Sequence, residues 1–433
     1  MKQSAAPSKN TNLASYLVAV IFVILPFHAF LTTWAGSNFG HFDLLRIIKE
    51  LLMVPLGLYA AALLLKNKTL LANFKASWLT RLIVAYSLLF FWAALLTLWQ
   101  GQVSQKAVIY SLIVNLRFLW FFGLVWVVAS LDPWISKYWQ KIVLIPAAIV
   151  VGFGLSQKFV LPNDFLRHFG YGPSTIDAVQ TVDQKLGFQR LQSTLRGANP
   201  FGAYLVIVIT TVTAYLRKGW YMKIFLAAAI VALFFTYSRS AWLGVIVAVG
   251  FLVWQSVDSK RLRRNIVVGA IIVGLLTVGS IWILRDNDTV QNAIFHSDES
   301  SVSAVSSNQQ RFASLSSATK DVWSQPLGGG PGSAGPASFH NSINPPKIAE
   351  NYFLQIGQEV GWLGVGLFIA INGLVAIALW RRSTPLARVL LASLVGITII
   401  NLLSHAWADD TMSLLWWGLA GVALASPAIL KKS

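Results

Sequence analysis

About a dozen apolar runs of membrane-spanning length fill this chain of 433 residues, and its basic residues cluster at every second connection between them. A helix needs about 20 apolar residues to cross the hydrocarbon core. Lipid offers no partner to a backbone N–H or C=O, so runs of this length fold as helices. The alternating, strand-length segments of a transmembrane barrel are absent. The chain therefore reads as an all-α polytopic membrane protein and a single membrane domain over 1–433. Its spans, about 12 of them, are expected at 13–34, 43–65, 78–99, 108–130, 138–160, 198–216, 220–237, 240–256, 266–284, 352–380, 385–404 and 411–430.

Charge placement then orients the spans. The net charge of +18 alone is compatible with nucleic acid, but its distribution argues against that partner. Of the 34 Lys and Arg, 20 fall in one set of alternate connections and termini, where the acids are Asp132 and Asp258. This is the positive-inside bias, which also suits anionic membrane lipids. It predicts cytoplasmic N- and C-termini. The apolar run after the polar Met1–Asn12 segment lacks a small-residue cleavage site and reads as a retained first helix. With no cysteine in the chain, a disulfide or thiolate metal site is excluded.

The opposite face carries two long connections, 161–197 and 285–351, the second rich in Ser, Gly and Pro. Loops of this length are functional or disordered. Within the second, Phe312 to Trp323 reads as a short amphipathic helix ending before Pro326. Arg239, between two apolar segments, is the sharpest single signal. A guanidinium at that depth faces a cavity and binds something, or snorkels to the interface. Arg311 is a second loop arginine, read either as a ligand or as a solvated side chain. Arg196 precedes Asn199-Pro200, which suits a helix start able to hold an anion; a plain cap is the competing reading. Glu350 and Asn351 open the tenth span, Glu350 as a favourable first-turn charge or as a general base. Glu359 lies nine residues further in, paired with a cation or facing the bundle interior. His340 and His405 lie outward, His405 near Asp409 and Asp410. No established metal-ligand spacing and no phosphate-cradling motif occurs.

Four segments resemble, in order, the bacterial O-antigen ligase and polymerase family. Thr236-Tyr237-Ser238-Arg239-Ser240-Ala241-Trp242-Leu243-Gly244 is similar to its TxSRxAxLG signature. Ser193 to Leu205 resembles the R-x-G-x-x-N-P stretch before it. Arg311, Trp323 and Pro326-Leu327-Gly328-Gly329-Gly330 match the large loop's R, W, P and G-x-G positions. Glu350-Asn351, then Glu359-Val360-Gly361-Trp362-Leu363-Gly364, resembles the H-N-x-x-L…E-x-G-x-x-G helix start, with Glu350 where that pattern has histidine.

The resemblance implies a glycosyltransferase at the outer face of the bacterial cytoplasmic (inner) membrane, without cofactor or metal. Its donor would be an undecaprenyl-pyrophosphate-linked glycan and its acceptor a hydroxyl of a glycan or lipid, in a polysaccharide polymerase or a ligase. It implies Arg239, Arg311 and Arg196 on the pyrophosphate, Glu350 or His340 as base, and Ser238, Asn351 and Glu359 in support. A protein O-oligosaccharyltransferase with the same donor is one alternative. A transporter or lipid-carrier flippase is another, but it predicts polar residues across mid-membrane, whereas here they sit at one rim.

Overall fold

The computed structural model describes residues 9–182, 185–266, 268–269, 282–284, 287 and 307–425. It is an all-α membrane protein. Helices α1 (Lys9–Ile24) and α2 (His28–Phe39) form one climbing rod, followed by the short α3 (Phe42–Arg46). Next come α4 (Ile48–Lys66), α5 (Lys68–Ala76), α6 (Trp78–Gln100), α7 (Gln105–Leu131) and α8 (Trp134–Phe159). A two-stranded antiparallel hairpin, β1 (Gln180–Val182) and β2 (Lys185–Arg190), pairs Gln180 with Arg190 and occupies the first long connection. The chain continues through α9 (Ala198–Ala214), α10 (Trp220–Phe235) and α11 (Arg239–Gln255). After the second long connection come α12 (Ser307–Ser324), α13 (Tyr352–Arg382), α14 (Pro385–Leu403) and α15 (Asp410–Ala425).

Among the described residues, seven helices are long and apolar enough to cross a membrane, while α9, α10 and α11 are apolar but shorter. The expected span 266–284 lies outside the described residues, apart from 266, 268–269 and 282–284. So does most of the loop before Ser307. The amphipathic helix expected over 312–323 is present as α12 and begins earlier, so Arg311 is helical.

Small residues set the closest packing, as they do between membrane helices. A Cβ on Gly244 of α11 would sit 2.9 Å from the Gly396 carbonyl of α14, so the two backbones nearly touch. Gly202 of α9 meets Ser238 and Ala241 of α11 in the same way, and Gly418 of α15 meets Phe22 and Phe121. α9, α14 and α15 form the buried centre. Trp407, Trp416 and Trp417 are fully enclosed there.

The tenth expected span needs correction. Tyr352–Arg382 is two helices meeting at Val360–Gly361, where Gly361 has φ +68°. The Tyr352 and Phe353 rings lie 5.4 and 6.1 Å from the Phe368 ring. One straight helix would hold residues 16 positions apart at about 24 Å. The limb 352–360 therefore folds back against 361–382 as a tight hairpin.

The reversal frees backbone groups that must find partners in an apolar setting. The glycine-rich segment after α12 supplies them. Gly329 N–H donates to Gln358 O (2.7 Å) and Gly330 N–H to Glu359 O (2.9 Å), while Trp362 N–H donates to Pro326 O (3.0 Å). Only glycine fits this approach, because a Cβ on Gly361 would lie 2.1 Å from Pro326 O. Glu359 completes the lock. Its carboxylate accepts from Ser111 Oγ (2.7 Å), Asn115 Nδ2 (2.8 Å) and Gly332 N–H (2.7 Å). It faces the bundle interior, held by neutral donors rather than by a cation.

Candidate functional site

Four helices begin at one level of the bundle, at the end opposite the basic clusters. The antiparallel crossing of α11 and α14 at Gly244 and Gly396 sets Arg239 beside the C-terminal end of α14. Gly202 packed on Ser238 brings Arg196, just before α9, to the same end. Lys49 at the start of α4 reaches Asp410 at the start of α15 (2.8 Å). Helix N-termini carry free N–H groups and a positive dipole end, so this level favours anions.

The hairpin of α13 delivers Glu350 and Asn351 to that level. The Asn351 side chain accepts from Leu354 N–H (3.0 Å), capping the helix, and donates to Leu402 O of α14 (3.0 Å). Tyr352 N–H donates to Ser404 O (3.1 Å), and Tyr352 Oη to Asn115 Oδ1 (2.9 Å). Glu350 sits in the left-handed region at φ +51°, a conformation that costs a residue with a side chain roughly 1–2 kcal/mol. Ser193 (φ +53°) and Tyr237 (φ +49°) share it. Thus, among the described residues, three of the five non-glycine residues of this kind fall within three positions of Arg196, of Arg239, or on Glu350 itself. Strain of this kind concentrates at functional sites.

The expected residues assemble in two adjoining groups joined by the turn 404–410. Glu350 and Arg311 both act on His405. Burial lowers the proton affinity of that imidazole, with Glu350 opposing and Arg311 reinforcing the effect. His340 and Arg196 belong to the second group. The His340 ring lies 4.5 Å from the Tyr110 ring, and Tyr110 hydrogen-bonds Arg196. Burial, then Lys106 and Arg46, push the His340 imidazole down. Arg196 is half exposed and lies 3.8 Å from Asp410, which holds its guanidinium firmly charged. Ser238 is buried and precedes α11 without a side-chain cap bond. The helix expected over 198–216 starts at Ala198, with Asn199-Pro200 in its first turn. Asn199 Oδ1 accepts from Arg190 Nη2 (2.6 Å).

Sequence reasoning missed the charge cluster beneath. Lys49 also meets Glu50 (3.2 Å), Glu50 meets Arg117 (3.0 Å), and Arg117 donates to Ala408 O (2.9 Å). His28 Nδ1 lies 3.9 Å from Asp410. Asp409 is held up to about 6 by burial and by Asp410 beside it. Asp410 is thus engaged by cations, Asp409 accepts from Met412 N–H (3.1 Å), and among the described residues no three His, Asp or Glu side chains are arranged to hold a metal. A signal for the cluster was present. Lys49, Glu50 and Arg117 interrupt apolar runs, and ionisable residues inside a span mark a site.

Residues 224–369 match the family model described as O-Antigen ligase. This region is similar to the O-antigen ligase family. The match takes in Ser238, Arg239, Arg311, His340, Glu350, Asn351 and Glu359, and leaves Arg196 outside. No curated protein matches the chain.

Proposed function

We propose that the chain transfers a glycan from an undecaprenyl-pyrophosphate carrier to an acceptor hydroxyl, at the outer face of the bacterial cytoplasmic membrane. The observation that carries this reading is the convergence at the C-terminal end of α14 of Glu350, through the Asn351 bond to Leu402 O, and of the Arg239 helix start, through the Gly244–Gly396 crossing, within a region similar to the O-antigen ligase family. The acceptor oxygen attacks the anomeric carbon, and its proton passes to Glu350. The bond from that carbon to the pyrophosphate oxygen breaks, and the electron pair leaves with the pyrophosphate. Arg239, Arg311 and Arg196 stabilise the charge that develops there, since preorganised guanidinium groups act on the transition state without reorganising. A planar guanidinium also matches two phosphate oxygens at once. Three arginines therefore supply the charge, and the reaction needs neither metal nor cofactor.

Glu350 is the base rather than His340 because its helix start is fixed on both sides. Asn351 ties it to α14, and Glu359 locks the hairpin behind it. His340 instead lies beside Tyr110 in the second group. The test is transfer by purified variants on a native lipid-linked donor. Glu350→Gln, Arg239→Ala and Arg311→Ala are expected to lose transfer by orders of magnitude while still inserting. Arg239→Lys stays poor because lysine lacks the planar fork. Near-wild-type product from either alanine variant refutes the pyrophosphate role. Loss in His340→Ala with retention in Glu350→Gln moves the base to His340.

A further inference from the structure

The first long connection reaches both of the segments that carry Arg196 and Arg239. Its hairpin pairs Gln180 of β1 with Arg190 of β2, so the two side chains leave the same face of the ribbon. Both meet the start of α9. Gln180 Oε1 accepts from Ala198 N–H (3.0 Å), one of the donors that a helix start leaves without an internal partner. Arg190 Nη2 donates to Asn199 Oδ1 (2.6 Å), three residues after Arg196.

The same guanidinium holds the other segment. Arg190 Nε donates to Thr236 O (2.9 Å), three residues before Arg239. Thr236 caps α10, and the last carbonyls of a helix lack internal partners and form its negative end. A guanidinium suits that place, since it stays charged and carries several donors in one rigid plane. Leu191 N–H, next along the chain, adds a bond to Phe235 O (2.8 Å). The stretch from there to Arg196 is tied on its other side, by Ser193 Oγ to Val150 O (2.6 Å) and by Thr194 Oγ1 to Pro26 O (2.7 Å).

We infer that Arg190 is a positioning residue: its one guanidinium bridges Asn199 and Thr236, so the hairpin fixes the spacing between Arg196 and Arg239. Two guanidinium groups meet both halves of a pyrophosphate only when they stand at a set separation, because each bonds its phosphate in a fixed plane. Arg190 sets that separation without touching the ligand. Lysine cannot replace it, since a single ammonium lacks the rigid fork that spans two acceptors. This inference rests on the reading of Arg196 and Arg239 as pyrophosphate ligands.

The test measures binding of geranyl pyrophosphate to the full chain in nanodiscs, with affinity and number of sites read separately. A folding defect lowers the number of sites and leaves the affinity of the remainder alone, whereas displaced arginines lower the affinity. Arg190→Ala is expected to weaken binding about tenfold at an unchanged number of sites, the scale of one hydrogen bond to a charged group. Arg190→Lys, which keeps the charge, should also bind more weakly than wild type. Asn199→Ala should weaken binding too, and Arg190→Ala combined with Asn199→Ala should be no weaker than Arg190→Ala alone, because the two side chains act as one unit. Gln189 points to the other face of β2 and donates to Asn163 O (3.1 Å), so Gln189→Ala should bind as wild type. Unchanged affinity in Arg190→Ala overturns the inference, as does a loss of sites without a loss of affinity. Full additivity of the two alanine changes overturns it as well, by placing Arg190 on the ligand itself. Wild-type affinity in Arg239→Ala overturns the pyrophosphate reading instead.

Discussion

Gly361→Ala separates a hairpin from a continuous span by the sign of its effect. In an uninterrupted helix, replacing an interior glycine by alanine stabilises by roughly 0.8–1.0 kcal/mol. In the hairpin the same change is destabilising for two reasons. Gly361 has φ +68°, and a non-glycine residue there costs roughly 1–2 kcal/mol. The new Cβ would also lie 2.1 Å from Pro326 O and 2.7 Å from Leu327 Cα, both backbone atoms that cannot rotate away. Moving the 326–330 segment aside breaks the bonds of Trp362 N–H, Gly329 N–H and Gly330 N–H. At about 0.5–1.5 kcal/mol net for each of the three, that adds about 1.5–4.5 kcal/mol. The expected loss is therefore about 3–6 kcal/mol. Gly366, five residues on, has open space around its Cβ position, so Gly366→Ala serves as control and should be neutral or slightly stabilising. Both variants can be followed by denaturant unfolding in detergent with tryptophan fluorescence. Transfer should also fall in Gly361→Ala, because the hairpin delivers Glu350. Equal or greater stability of Gly361→Ala relative to wild type would refute the hairpin and restore one long span.

Asp409, held at about 6 against an ordinary 3.8, binds its proton more tightly folded than unfolded. Its contribution favours the fold below about pH 4 and is lost as pH rises through about 6. Asp409→Asn should therefore gain stability relative to wild type between pH 4.5 and pH 7.5; thermal shifts showing a pH-independent difference contradict this. Asp410→Asn leaves Lys49 buried without its 2.8 Å partner, and breaking a buried pair costs about 3–5 kcal/mol. A Lys49/Asp410 double-mutant cycle with no coupling energy removes that ion pair from the account. Ser303, outside the described residues, tests the expected topology. A cysteine placed there should react with an impermeant reagent in intact cells, and labelling only after permeabilisation reverses the orientation.

Local chemistry determined much of this protein. Long apolar runs in lipid can only be helices, so the all-α membrane class followed from hydropathy alone. Short polar segments at their ends marked Arg239, Arg311, Arg196, Glu350 and Asn351, because charge near an apolar run is costly and therefore conspicuous. What hydropathy cannot register is direction. The 352–382 segment is apolar throughout, and its reversal depends on one backbone angle at Gly361 and on N–H groups from a loop some 30 residues earlier. The cluster of Lys49, Glu50, Arg117, Arg196 and Asp410 likewise draws on four separate parts of the chain. Each charge alone is an anomaly within or beside its own apolar run. Only packing brings opposite charges within about 4 Å, where their attraction offsets the cost of leaving water.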